Sequence, residues 1–177
     1  MLRVYGVFDV TSGYANGDTE NPSYEDLIYN DSGHSETVHV RYDPQHTDLI
    51  TILTYYFRII DPISINRQGP DSGSQYRTGI YYTDETDLEI IEPFIDNEQL
   101  KYDQTIAVEV EPLRHYYLAE GYHQDYLEKN PLGYCHINLR TVNEIVIVES
   151  RYPKPSDERL REILTTAQYE VTQNGYT

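Results

Sequence analysis

Residues 12–35, SGYANGDTENPSYEDLIYNDSGHS, interleave Gly, Asn, Asp, Ser and Pro with few apolar positions. Such residues favour turns and left-handed backbone, so the stretch predicts a long loop and not a regular element. A second stretch of this kind, INRQGPDSGSQYR at 65–77, follows the helix stop Asp61-Pro62. Compact domains rarely carry structureless connections this long unless the loops serve binding or catalysis.

Between and beyond the loops the hydrophobic period changes from segment to segment. ETVHVRYD (36–43) alternates, with Val38, Val40 and Tyr42 on one face, and predicts a strand. Leu49, Ile52, Leu53, Tyr56 and Ile60 recur at helical spacing within 47–60. TGIYYT (78–83) reads as a buried strand, and residues 84–92 as a short helix ending near Pro93. TIAVEVEP (105–112) and EIVIVE (144–149) read as strands, and AEGYHQDYLEKN (119–130) as a helix. The tail from Lys154 follows two prolines and predicts a linker with one short helix. This mixed order predicts an α+β, two-layer α/β sandwich with a mixed sheet and long loops.

Composition narrows the partners. Thirty acids against thirteen bases give a net charge of −17. That charge repels phosphate backbones and anionic lipid, so nucleic acid and membrane surfaces are excluded as expected partners. No apolar run reaches membrane-spanning length, and the N-terminal ten residues do not read as a secretory signal. The single cysteine, Cys135, excludes an internal disulfide framework and fits a reducing cytoplasm. Nineteen tyrosines against three phenylalanines and no tryptophan supply many flat apolar bodies tipped with hydroxyls.

The loops concentrate groups suited to a small polar ligand. The first holds Tyr24 and leads to His34 and Glu36, and the second holds Arg67, Gln68, Asp71, Gln75, Tyr76 and Arg77. His123 and Tyr126 lie three apart, which places them on one face of the expected helix. Each also has a structural explanation, as a turn aspartate, a helix-surface histidine or a capped loop tyrosine. No His/Cys spacing matches a metal-ligand pattern and no glycine-rich phosphate loop is present, so neither a metal nor a cofactor is expected.

Four segments, GYANGDTENPSYEDL, GHSETVHVRYDP, DPISINRQGPDSGSQYRTGIYY and LAEGYHQDYLEKNPLGYCHI, resemble the A-type peptide methionine sulfoxide reductases in the family's own order. The resemblance covers about residues 1–139. It implies a reductase domain over 1–150 with a ferredoxin-like core. Residues 151–177 would then be a tail similar to the opening of a B-type domain in fused A/B enzymes. It also implies reduction of the S-epimer of methionine sulfoxide, free or in peptides, with thioredoxin as the external reductant.

Roles follow residue by residue. Glu36 matches the proton donor to the sulfoxide oxygen, and Tyr24 and Tyr76 match the two hydroxyls that bind that oxygen. Asp71 matches the carboxylate that positions the network, in a GPD triplet where the family has GND. His123, Tyr126 and Tyr134 match residues lining the substrate site. Cys135 matches the recycling cysteine, not the nucleophile, whose GCFWG signature is not in this sequence. MLRVYGVFDVTSGYANG resembles the end of the helix after that signature and the turn beyond it. On this reading the first strand and most of the first helix are absent, leaving a gap between strands beside Glu36 and an exposed apolar floor. The alternative to that gap is residues 1–10 folding back as a substitute strand, for which LRVYGVFDV has enough β-branched and aromatic residues. Three functions stay open: a reductase recorded from an internal Met, a noncatalytic module that keeps the sulfoxide pocket, or a reductase using Cys135 itself.

Overall fold

The computed structural model describes residues 1–130, 133 and 156–174, in two compact units, 1–146 and 147–177. The expected strand at 144–149 lies outside the described residues. The architecture is mixed α/β with open sheets.

The first strand, β1 (Val7–Ala15), occupies the middle of a three-stranded antiparallel sheet, between β2 (Ser35–Tyr42) and β7 (Tyr116–Leu118). Its register sets Tyr14 opposite Glu36 on one side and opposite Tyr117 on the other. This corrects two sequence expectations, since the N-terminal segment is strand from Val7 and the loop expected from residue 12 begins only after Ala15. Gly13 shows why composition misled. A Cβ there would lie 2.3 Å from the Tyr116 ring and 2.4 Å from the Tyr117 carbonyl, so the glycine serves close strand approach and not a turn.

The same polar stretch also contains a helix, α1 (Tyr24–Tyr29). Ser23 Oγ accepts the Asp26 N–H at 3.3 Å while Asp26 accepts the Ser23 N–H at 2.9 Å, a reciprocal capping box. Leu27 anchors the helix in a small core with Tyr14 and Ala119. Helix α2 (Leu49–Ile59) starts at Asp48, whose carboxylate accepts the Thr51 N–H at 2.8 Å, and buries Ile52, Leu53 and Phe57.

After a two-residue hairpin, β3 (Arg67–Gln68) and β4 (Asp71–Ser72), a 3-10 turn at Ser74–Tyr76 leads into β5 (Gly79–Tyr82). Strand β5 pairs in parallel with β6 (Glu109–Pro112), the crossover being α3 (Leu88–Gln99). Pro93 was expected to end this helix but lies inside it. Ile91, 1% exposed, and Phe94, in edge contact with Phe57 at 5.2 Å, hold α3 against α2. That burial offsets the hydrogen bond the proline cannot make.

The helix expected over 119–130 shrinks to α4 (Tyr126–Lys129). Gln124 explains the loss. Its Oε1 accepts the Ser12 N–H at 2.9 Å and its Nε2 donates to the Ser12 and Ala119 carbonyls at 2.8 and 3.0 Å. The segment docks on β1 through these bonds, and Asp125 turns left-handed at φ 53° before helix resumes. His123 therefore precedes the helix, and the shared helix face expected for His123 and Tyr126 does not exist. In the second unit, α5 (Asp157–Ile163) and α6 (Thr166–Asn174) replace the single helix expected, with Arg161 stacked on Tyr169 at 4.1 Å. Among the described residues no helix is long and apolar enough to cross a membrane.

Candidate active site

A cavity of about 480 Å³ opens in the first unit, lined by residues of β1, β2, α2 and β5, by Tyr24 of α1 and by the segment that precedes α4. Its wall is apolar along one side, where Val38, Val40, Ile52 and Ile80 face it, and Val38 remains 48% exposed. At the polar end stand Tyr24, Glu36, Tyr76 and His123, brought together from four separate parts of the chain. Among the described residues, β2 and β5 belong to separate sheets with no ladder between them.

Each polar group has a local reason for its place. Tyr24 begins α1 directly after the capping Ser23, and its backbone N–H donates to Glu120 Oε1 at 2.9 Å. Glu36 is the second residue of β2, fixed by pairing with Tyr14. Tyr76 closes the 3-10 turn, and Asp71 lies on the preceding hairpin. The His123 ring packs on Tyr24 with centroids 4.7 Å apart. His123 Nε2 is buried without a hydrogen bond, 4.0 Å from Glu120 Oε2.

The electrostatics favour protonated groups. Solvent reaches Glu36 through the open cavity, yet protein crowds the carboxyl on its other sides. That desolvation raises its pKa to about 7, and the Asp71 carboxylate adds to the rise. Asp71 thus acts on the site through its field, although it is not part of the cavity lining. Burial, followed by the charge of Glu36, raises both Tyr24 and Tyr76, whose hydroxyls also interact with each other. Near neutral pH the cavity therefore presents two tyrosine O–H groups and a half-protonated carboxyl. Such a set donates hydrogen bonds to an acceptor oxygen and delivers a proton to it.

The sequence-derived site residues fare unequally. Tyr24, Glu36, Tyr76 and His123 share the cavity, with Asp71 behind Glu36. Tyr126 is 41% exposed at the start of α4 and is not in the lining. Tyr134 and Cys135 lie outside the described residues. His34, Arg67 and Gln68 hold the scaffold. His34 accepts the Gly17 N–H at 3.1 Å and donates to the Thr19 carbonyl at 2.9 Å, Arg67 bonds the Gly69 carbonyl, and Gln68 bonds the Asp61 backbone. Tyr14 and Glu120 were not among the sequence candidates. Glu120 Oε2 accepts the Tyr14 hydroxyl at 2.6 Å, so one carboxylate ties β1, α1 and the His123 loop together. Burial pushes that carboxyl up, but the hydrogen bonds it accepts outweigh burial and hold it below its ordinary value. The available signal was Glu120 lying three residues before His123.

The family model described as peptide methionine sulfoxide reductase matches residues 1–154. Mxr1 from Saccharomyces cerevisiae in reduced form is similar at TM-score 0.71 and 37% identity, over 75% of this chain and 78% of that one. Methionine sulfoxide reductase A of Corynebacterium diphtheriae is similar at TM-score 0.68 and 34% identity, over 76% and 69%. Mxr1 in an unusual oxidized form is similar at 0.53 and 35%, over 73% and 71%.

Proposed function

The chain belongs to the peptide methionine sulfoxide reductase family, oxidoreductases that return methionine sulfoxide to methionine, and from that premise we propose how its cavity takes part in the reaction. The observation that carries the proposal is the grouping of Tyr24, Tyr76 and Glu36 in one cavity whose surface is mostly apolar. A sulfoxide has this polarity, with one strongly accepting oxygen and two alkyl arms. The tyrosine hydroxyls bind the oxygen, and His123 with Tyr24 forms an aromatic wall beside it.

Oxide is too basic to leave sulfur unprotonated. Glu36, with its pKa near 7, supplies the proton as a thiolate attacks the sulfur, the oxygen passing to the thiolate as a sulfenic acid and methionine leaving. Asp71 keeps the Glu36 proton bound by disfavouring a second negative charge. Cys135, the one thiol in the sequence, is read as the recycling thiol. It attacks the sulfenic acid, forming a disulfide and releasing water, and a thioredoxin dithiol reduces that disulfide. The attacking thiolate is not among these 177 residues, which keeps a sulfoxide-binding module as the second reading. Selectivity for the S-epimer is assigned by family correspondence. Tyr126 and Tyr134 are retained as substrate contacts by family correspondence.

The family match through residue 154 and the separate unit from Ile147 support reading 1–150 as the reductase domain and 151–177 as its tail. The low cysteine content and strong negative charge support a cytoplasmic setting without nucleic-acid or membrane partners.

The test is binding of methionine S-sulfoxide, its R-epimer and methionine, followed by nuclear magnetic resonance. The S-epimer should bind best, and Glu36→Gln should weaken it by about tenfold, the worth of one hydrogen bond. Equal affinity for the S-epimer and methionine would refute the oxygen-directed reading.

A further inference from the structure

Glu36 and Tyr76 sit on different supports. Glu36 belongs to the β2–β1–β7 sheet, whereas Tyr76 precedes β5 of the β5–β6 pair. Among the described residues no backbone ladder joins these sheets, which are linked by the short connection from β6 to β7 and by side chains. Functional groups lose their cooperation when displaced by about half an ångström.

Asn16, which follows β1, reaches the Pro112 carbonyl at the end of β6 through its Nδ2 at 3.0 Å, and a second set of side chains crosses between the two supports beside Glu36 and Tyr76. Ser35 Oγ donates to the Tyr81 hydroxyl at 2.8 Å. The Tyr81 hydroxyl donates in turn to Glu109 Oε1, on β6, in a short hydrogen bond. From the other side the Arg77 Nε–H donates to the same oxygen at 2.8 Å, while its Nη1 donates to the Ser74 carbonyl at 3.0 Å. Ser35 immediately precedes Glu36, Arg77 immediately follows Tyr76, and Ser74 opens the 3-10 turn that ends in Tyr76. Both ends of the chain therefore abut the two groups whose spacing matters.

The Ser35 hydroxyl, the Tyr81 hydroxyl and the Arg77 Nε–H donate in the direction of Glu109, and ionised partners make such bonds shorter and stronger than neutral ones. Ser35 is 1% exposed and cannot replace its partner with bulk water at no cost.

We propose that the hydrogen-bonded chain Ser35–Tyr81–Glu109–Arg77 is the strut that sets Glu36 against Tyr76, making Tyr81 a positioning residue for the sulfoxide site. The functional part of this inference rests on the reading of Glu36 and Tyr76 as oxygen-binding groups. The geometric part does not. Without the strut, β2 moves relative to the 3-10 turn, water enters beside Glu36, and the carboxyl separates from Asp71, Tyr24 and Tyr76.

The decisive measurement is the carboxyl titration of Glu36 by carbon-13 magnetic resonance, assigned with Glu36→Gln, in the full chain and its variants. Tyr81→Phe removes the link at its centre. Ser35→Ala removes one end with a smaller risk to folding, and Ser35→Thr restores the hydroxyl. In both disrupted variants the Glu36 midpoint should fall by about one pH unit from about 7 toward its ordinary 4.5. Ser35→Thr should recover the wild-type midpoint. S-epimer affinity should fall about tenfold in Tyr81→Phe, in line with one lost hydrogen-bonding group.

A lowered melting temperature with the Glu36 midpoint unchanged would overturn the proposal, because a merely structural bond has that signature. If Tyr81→Phe does not fold, the Ser35→Ala midpoint decides alone. Failure of the wild type to bind any sulfoxide would instead sink the reading of the cavity, while the midpoint shift would still report the strut.

Discussion

Glu120 accepts the backbone N–H of Tyr24 at 2.9 Å across 96 positions of sequence. The bond fixes the first turn of the helix that delivers a tyrosine to the cavity. The other Glu120 oxygen accepts the Tyr14 hydroxyl at 2.6 Å, from the strand position that pairs with Glu36. Tyr24 and Glu36, both in the cavity lining, therefore share one carboxylate as a reference point.

Glu120→Gln keeps the side-chain shape but loses one acceptor oxygen, and its new amide N–H groups oppose a donor. We expect a loss of about 1.5–3 kcal/mol in stability, the range for hydrogen bonds to charged groups, and weaker S-sulfoxide binding. Urea denaturation and a binding titration read these separately. Unchanged values for both would remove Glu120 from the site's support.

The raised pKa of Glu36 gives a signed pH dependence. A carboxyl whose folded pKa lies above its unfolded one contributes stability that is complete below 4.5 and lost as pH rises through about 7. Sulfoxide affinity should decline over the upper part of the same window, because the proton on Glu36 is part of the recognition. In Glu36→Gln both slopes should vanish. Thermal melts and titrations from about pH 4 to about 8.5, bracketing that window, check this. A wild-type affinity flat across pH 7 would count against Glu36 as proton donor.

His34 should behave in the opposite sense. Burial lowers its pKa, and its hydrogen bonds require a neutral ring protonated on Nε2. Its contribution to stability is present above its ordinary value of 6.5 and is lost on acidification below it. Nitrogen-15 spectra at pH 6 should show a neutral Nε2–H tautomer. A doubly protonated ring at that pH would contradict the geometry.

Ile91 is 1% exposed on α3. Ile91→Ala should cost about 2–5 kcal/mol, the range for emptying a core isoleucine. The helix containing Pro93 should melt with the rest of the first unit and not separately. A loss under about 1 kcal/mol, the range of volume-conserving core changes, would mean that α3 is held by something other than this contact.

Cys135 is the only thiol available within the sequence. An unperturbed thiol of pKa near 8.5 is only a few per cent thiolate at neutral pH. With dithiothreitol as reductant, turnover of methionine S-sulfoxide by these 177 residues should be the same for wild type and Cys135→Ser. A rate that depends on Cys135 would assign the attack on sulfur to this residue.

Local pattern was enough for β2, α2, β5 and the Asp61-Pro62 stop, where apolar spacing and helix punctuation act within a few residues. Tyr24, Glu36, Asp71, Tyr76 and His123 were legible as a set only through motif resemblance, because their spacing in sequence says nothing of their meeting in space. What tertiary structure decided was every element whose stability comes from distant partners. Val7–Ala15 is a strand because β2 and β7 flank it, with Gly13 admitting the Tyr116 ring. α3 continues through Pro93 because Ile91 and Phe94 pack on α2. Residues 119–125 are not helical because Gln124 and Glu120 bond better to β1 and α1 than to their own backbone. In each case contacts between residues remote in sequence outweighed local preferences, which amount to only about 1 kcal/mol per residue for all but proline.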